Sequence, residues 1–319
     1  MNMLAKLLPQ EEVKLRLVAI LFSAVVGGLL TLLIIYGIRS YGIVLFFLVP
    51  AFLGFGSTVI YGLKKPIAFR RGFEIGFYAL IVYCAGLIIG AFEGLICIAM
   101  VMPIAVLLMV GGVALGLLIT RKLPGTAPGA LLLLMGMIPL LAFAERQNEP
   151  TLSKVQTSVV IDADPQTVWD HLIGFSEMAE PEELLFKVGI AYPIRAEIEG
   201  NGVGAVRYCN FSTGSFVEPI TVWDEPHRLA FDVEEVPEPM KELHYWDIDA
   251  PHLHDYFISK RGQFLLTALP DGTTRLEGTT WYEHNIYPEF YWRIWSDYIV
   301  HKIHDRVLNH IKRTSESSK

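Results

Sequence analysis

Residues 159–172 read VVIDADPQTVWDHL, and the change of period inside this stretch decides the fold of the second half of the chain. Residues 155–161 (VQTSVVI) alternate apolar and polar side chains, the period-two pattern of a half-buried strand. Asp164 follows as a helix N-cap, with Pro165 at the first helical position, where a missing N–H costs nothing. The spacing then puts Val168, Trp169 and Leu172 on one face of a helix over 165–173. A strand running straight into a short amphipathic helix opens an α+β domain.

Working forward, a second short helical stretch is expected over 176–186, ending in Leu184, Leu185 and Phe186. Strands are expected near 194–199, 204–211, 214–224, 227–236, 257–269 and 273–284, with Asn201-Gly202 and Asp271-Gly272 as turn signals. A Pro- and His-rich excursion, 237–256, separates the fourth of these from the fifth. From Pro288 the period is helical again. Residues 288–313 predict one long helix with Tyr291, Ile294, Trp295, Tyr298 and Ile299 on a broad face, and residues 315–319 a disordered tail. One antiparallel sheet with a long helix across it buries one sheet face, and strong curvature turns the gap between them into a cavity.

Working backward, ERQNEPTLS (145–153) is a polar linker, and the chain before it has another character. Residues 17–38 run 22 positions without a charge, roughly 33 Å as a helix at ~1.5 Å per residue, against a ~30 Å hydrocarbon core. Segments 42–63, 73–91, 95–119 and 129–144 repeat the pattern, so five transmembrane helices are expected over 17–144, preceded by a cytoplasmic segment, 1–16. The first apolar run is too long for a cleaved signal peptide. Gly27-Gly28 and Gly111-Gly112 read as close-packing positions between helices rather than phosphate-binding loops. Glu93 falls where a hairpin must turn and is expected at the membrane interface.

Charge separates the same two halves. Residues 1–150 hold 11 Lys/Arg and 6 Asp/Glu, whereas 151–319 hold 15 and 27. So acidic a domain repels phosphate backbones, which excludes nucleic acid as a partner. Short loops on one side collect Lys6, Lys14, Arg16, Lys64, Lys65, Arg70, Arg71, Arg121 and Lys122, and the other side only Arg39 and Arg146. By the positive-inside rule, with all five segments spanning, the N-terminus lies inside and the soluble domain outside the cytoplasm; if the short fifth segment lies on the surface instead, the domain faces the cytoplasm. Of three cysteines, Cys84 and Cys97 are in apolar segments and Cys209 is alone in the soluble half, so no disulfide framework holds the domain together.

With these elements in order, VVIDADPQTVWDHL and the aromatic last helix resemble the START-like superfamily, also labelled SRPBCC or polyketide cyclase/dehydrase-like, over about 152–314. EGLICIAM (93–100), GAVRYCNFSTGSFVEPITVWD (204–224), GTTWYEH (278–284) and YWRIWSDYIVHKIHDRVLNHI (291–311) resemble bacterial proteins that fuse several membrane helices to such a domain. The resemblance implies a helix-grip fold, here over 154–314, anchored in a bacterial inner or plasma membrane. It also implies a hydrophobic or amphipathic small molecule, lipid- or isoprenoid-like, as ligand. The superfamily holds binders, transporters and enzymes, so a cyclase/dehydratase-type enzyme and a structural or sensory protein stay open.

Polar residues inside the strand pattern are the candidate site. Arg207, Cys209 and Glu218 interrupt segments that otherwise read as β core, and an Arg–Glu pair facing a cavity can hold a ligand's polar group. Trp281, Tyr282, Trp295 and Tyr298 are candidates for its apolar body, and Glu283 and His284 for acid–base chemistry. Alternate residues of a half-exposed sheet explain the charged ones equally well. His252-x-His254 and the helical set Asp297, His301, His304 have metal-ligand types, but nothing brings the two groups together, and no metal or cofactor is expected. There is no nucleophile elbow, P-loop or GxGxxG fingerprint.

Overall fold

The computed structural model describes residues 7–146, 150–243, 250–254 and 256–318. They form two compact units, one built mainly from residues 7–146 and the other mainly from 150–243, 251–285 and 289–318. Gln147–Glu149 of the linker and His244 lie outside the described residues.

The first unit contains five helices long and apolar enough to cross a membrane: α1 (Glu12–Ile38), α2 (Val44–Gly62), α3 (Phe69–Ile89), α4 (Leu95–Lys122) and α5 (Ala127–Glu145). The shortest, α2 and α5, have 19 residues, roughly 28 Å of helix. α1 ends and α2 begins in π-helical turns, Leu33–Ile38 and Val44–Leu48. The Glu145 carboxylate accepts the Val44 N–H at 3.1 and 3.2 Å, meeting a donor that the helix start leaves open. α2 and α4 pack backbone to backbone through glycine. A Cβ on Gly54 would lie 2.0 Å from the Met109 carbonyl oxygen, and one on Gly112 1.9 Å from that of Ala51. Gly27 abuts Leu53, while Gly28 and Gly111 face open space. Glu93 is 8% exposed and accepts a hydrogen bond from the Tyr41 hydroxyl at 3.0 Å.

The second unit is a seven-stranded antiparallel sheet in the order β1-β7-β6-β5-β4-β3-β2. Its strands are β1 (Ser153–Ile161), β2 (Pro193–Glu199), β3 (Val206–Phe211), β4 (Gly214–Asp224), β5 (Arg228–Asp232), β6 (Phe257–Ala268) and β7 (Thr274–His284). Between β1 and β2 stand α6 (Pro165–Leu172) and the single turn α7 (Leu184–Lys187), and α8 (Glu289–Ser317) ends the chain. Asp164 caps α6 by accepting the Gln166 and Thr167 N–H groups at 3.0 and 3.2 Å. Val168, Trp169 and Leu172 are buried in the core with Val307, Leu308 and Ile311 of α8. Burial of each Val or Leu is worth ~1.5–3 kcal/mol. A curved antiparallel sheet gripping one long helix is the helix-grip arrangement.

Three expectations need correction. Residues 176–183 are not helical. Phe175 pairs with Ala196 through N–H···O bonds in both directions, and the Met178 N–H donates to Ile194 at 2.8 Å, so this stretch runs along the edge of β2. Pro181 disfavours the helical region for Glu180 before it, so no helix runs through this point. The face of α8 turned to the sheet is also different: Trp292, Val300, Val307, Leu308 and Ile311 are buried, while Ile294 is 65% and Tyr298 49% exposed. Finally, residues 315–317 continue α8 instead of forming a disordered tail. Ser315 is fully buried and the Glu316 carboxylate accepts the Asp162 N–H at 2.9 Å, tying the helix end to β1.

Candidate functional site

β3 and β4 are joined by a two-residue hairpin turn, Ser212-Thr213, which sets their register: Phe211 opposes Gly214, Cys209 opposes Phe216 and Arg207 opposes Glu218. Side chains alternate across a strand, so Arg207, Cys209 and Phe211 share one face, with Phe216 and Glu218 of the neighbouring strand beside them. That face is the concave one. With Phe231 of β5, Arg261, Gln263 and Phe264 of β6, Thr280 of β7 and Ile303, His304 and Val307 of α8, it lines a partly open cavity of about 110 Å³. Gly262 makes one wall possible. A Cβ there would lie 2.4 Å from the Phe231 ring, which crosses β6 at that point.

Arg207 is the central side chain of the wall. It is 2% exposed, Glu218 is 6% exposed, and Arg207 Nη1 donates to Glu218 Oε2. The guanidinium carbon lies 5.6 Å from the Phe175 and Phe231 ring centres and 5.7 Å from that of Phe264. The rings shield the cation from water and attract it through their faces. Burial pushes the Glu218 carboxyl above its ordinary range, with Arg207 pulling the other way. Burial likewise pushes the Cys209 thiol up to about 12, so it is neutral and not a nucleophile. Arg207 Nε is buried and has no hydrogen-bond partner.

His304 is the titratable group that α8 supplies. Its Nδ1 lies 3.0 Å from the Thr157 hydroxyl and its Nε2 2.8 Å from that of Thr280, and Thr157 also meets His301 Nδ1 at 2.8 Å. Burial and the neighbouring His301 pull the His304 imidazole down to about 4, so it is neutral near pH 7.

The sequence-derived candidates therefore separate. Arg207, Cys209 and Glu218 come together on the cavity wall. Tyr282 has the same strand parity as Thr280, but it lies in a neighbouring cluster with Val155 and Val300, and its hydroxyl donates to Asp297 at 2.5 Å. Trp281 and Glu283 have the opposite parity. Arg261 lies over Trp281 at 4.6 Å, and Glu283 pairs with Lys260 at 3.1 Å. His284 is buried off the cavity wall, as Trp295 and Tyr298 are also away from it. The phenylalanines and His304 were missed as lining. Strand parity counted from Arg207 was the signal for Phe211, and for Phe216 through Glu218.

Residues 153–250 match the family model described as polyketide cyclase / dehydrase and lipid transport. The resemblance read from VVIDADPQTVWDHL therefore holds over that stretch. No curated protein matches the chain. Among solved structures, a protein of Nitrosospira multiformis is 20% identical, with a TM-score of 0.34 over 52% of this chain and 100% of that one. Norcoclaurine synthase of Thalictrum flavum is 13% identical, with a TM-score of 0.34 over 54% of this chain and 99% of that one. XoxI of Bacillus cereus is 15% identical, with a TM-score of 0.34 over 50% and 94%.

Proposed function

We propose that the helix-grip unit is a binding module for a small, largely apolar molecule, kept at a membrane by α1–α5 with the module outside the cytoplasm. The observation that carries this reading is the partly open cavity between the concave sheet face and α8, lined by phenylalanine and aliphatic side chains around one buried ion pair, with a few polar residues such as His304 and Thr280. The lipid-transport wording of the matched family model points the same way. Size limits the occupant. An engineered cavity of ~150 Å³ holds one benzene, and this one measures about 110 Å³. A longer acyl or isoprenoid chain would place only part of its length in the cavity and extend through its open side. Membrane tethering suits such a ligand, because a molecule that partitions into the bilayer is concentrated beside the module.

Native mass spectrometry of the full chain released from detergent tests the reading. A co-purifying small-molecule mass is expected, and Ile303→Trp, which places an indole in the cavity, removes it. Repeated absence from the wild-type chain overturns the reading. Protease accessibility in intact cells tests the side: cleavage of the module from outside is expected, and full protection refutes it. A second reading, an acid–base enzyme at the same cavity, is favoured by the upward shift of Glu218. It runs through Glu218 and His304, because Glu283 and His284 stand off the wall.

A further inference from the structure

We infer that the ligand is an uncharged molecule of about ring size with one hydrogen-bond-accepting oxygen, a small ketone, ether or alcohol, which docks on Arg207 Nε. The inference rests on the binding reading above and narrows it by three independent features of the cavity.

The first feature is the unmatched donor. Arg207 Nη1 donates to Glu218, while Nε is buried without a hydrogen-bond partner on a wall rich in phenylalanine rings. A buried N–H without an acceptor is costly, and the acceptor has to come from whatever fills the space. His304 has no nitrogen to spare for this N–H, because both are held by the Thr157 and Thr280 hydroxyls.

The second feature is charge. Arg207 pairs with Glu218, Cys209 and His304 are neutral, and Arg261, which also lines the space, holds its guanidinium over the Trp281 ring outside it, so the cavity offers no free charge to an ion. A ligand carboxylate would compete with Glu218 for the same guanidinium, and a ligand ammonium would face Arg207. Either would enter a low-dielectric space without a counter-charge. A neutral oxygen meets Nε and leaves the pair intact. The third feature is volume, since about 110 Å³ fits a five- or six-membered ring.

Four compounds of similar size test this on the full chain in detergent: cyclopentanone, cyclopentane, cyclopentylammonium and cyclobutanecarboxylate, each titrated calorimetrically against matching empty micelles. Cyclopentanone is expected to bind at least about tenfold tighter than cyclopentane, with both ions weaker than the ketone. In Arg207→Met/Glu218→Leu, which removes both charges together, the ketone-to-hydrocarbon ratio is expected to fall to about one. Should that variant fold poorly, the wild-type chain still decides through the infrared carbonyl stretch of bound cyclopentanone. A shift to lower wavenumber is expected, and an unshifted band overturns the inference. Equal affinity for cyclopentanone and cyclopentane overturns it too while leaving the binding module standing, and so does tightest binding of either ion. If none of the four binds, the binding reading fails and this inference falls with it.

Discussion

Removing Arg207 alone, by Arg207→Met, leaves the Glu218 carboxylate in a wall of rings with no partner. Arg207 and Glu218 are 2% and 6% exposed, so little solvent screens what remains. Breaking such a pair from one side costs ~3–5 kcal/mol, because a buried charge is left uncompensated. For a domain of this size 1 kcal/mol moves the melting temperature by ~2–4 °C, which gives a fall of roughly 6–20 °C. The assay reads the helix-grip unit selectively, since all six tryptophans lie beyond residue 150 and their fluorescence reports on that half of the chain. pH supplies a second readout with a definite sign. Burial raises the folded-state affinity of Glu218 for a proton above its ordinary value of 4.5. Its contribution is therefore fully present below that value and is lost as pH rises. Without Arg207 the loss with rising pH becomes steeper, so the variant is closest to wild type in acid. Arg207→Met/Glu218→Leu removes both charges and is expected within ~1–2 kcal/mol of wild type. A single variant that costs under ~1 kcal/mol, or a double variant as unstable as the two singles added, refutes the account of a coupled buried pair.

His304 supplies the opposite pH sign. Its imidazole is held near 4 against an ordinary 6.5, so its contribution is complete above 6.5 and is lost as pH falls toward 4. That amounts to roughly 2 kcal/mol by about pH 5, and His304→Gln is expected to remove this part of the slope in urea titrations. Gly262→Val is expected to push the Phe231 ring into the cavity and abolish ligand mass in native spectra while the tryptophan melting transition persists; retained ligand refutes that wall assignment. Gly112→Val would set side-chain atoms against the Ala51 backbone, and loss of a monodisperse, protease-resistant helical unit in detergent is expected. Asp164→Ala removes the acceptor of two N–H groups at the start of α6 and is expected to cost ~1 kcal/mol in the fluorescence melt.

Local period carries most of the architecture. β4 occupies the expected 214–224, and β1, β3, β6 and β7 start or end within about two residues of their expected bounds, because each alternates cleanly and ends at a turn former. The stretch 176–183 was misread because its composition suits a helix, while its actual partner is the backbone of β2, about 20 residues later in the chain. On α8 the aromatic cluster 290–298 drew attention to the wrong stripe. Phe290, Ile294 and Tyr298 follow one another every four residues and are all exposed, while the sheet holds a stripe through Val300, Val307 and Ile311. Helix period reveals that a stripe exists. Which of two apolar stripes meets the sheet depends on how α8 is rotated, and that is set by tertiary packing against the Val168, Trp169 and Leu172 face of α6.

The same reasoning bears on why three candidates meet and the rest do not. Arg207, Cys209 and Glu218 lie on one hairpin, where a two-residue turn converts sequence distance into spatial register, so their proximity was readable from GAVRYCNFSTGSFVEP alone. Trp281 and Tyr282 are adjacent in sequence and so cannot share a face, whatever their chemistry. The readable part, however, does not explain itself energetically. Two apolar residues of similar volume would hold β3 to β4 as well as a buried ion pair does, or better. The particular consequence of having Arg207 and Glu218 there is chemical: a charged donor fixed in a phenylalanine-rich wall, with its Nε–H unpartnered. Stability and ligand preference are therefore expected to separate. The double variant that keeps its melting temperature is the one that stops distinguishing a ketone from a hydrocarbon.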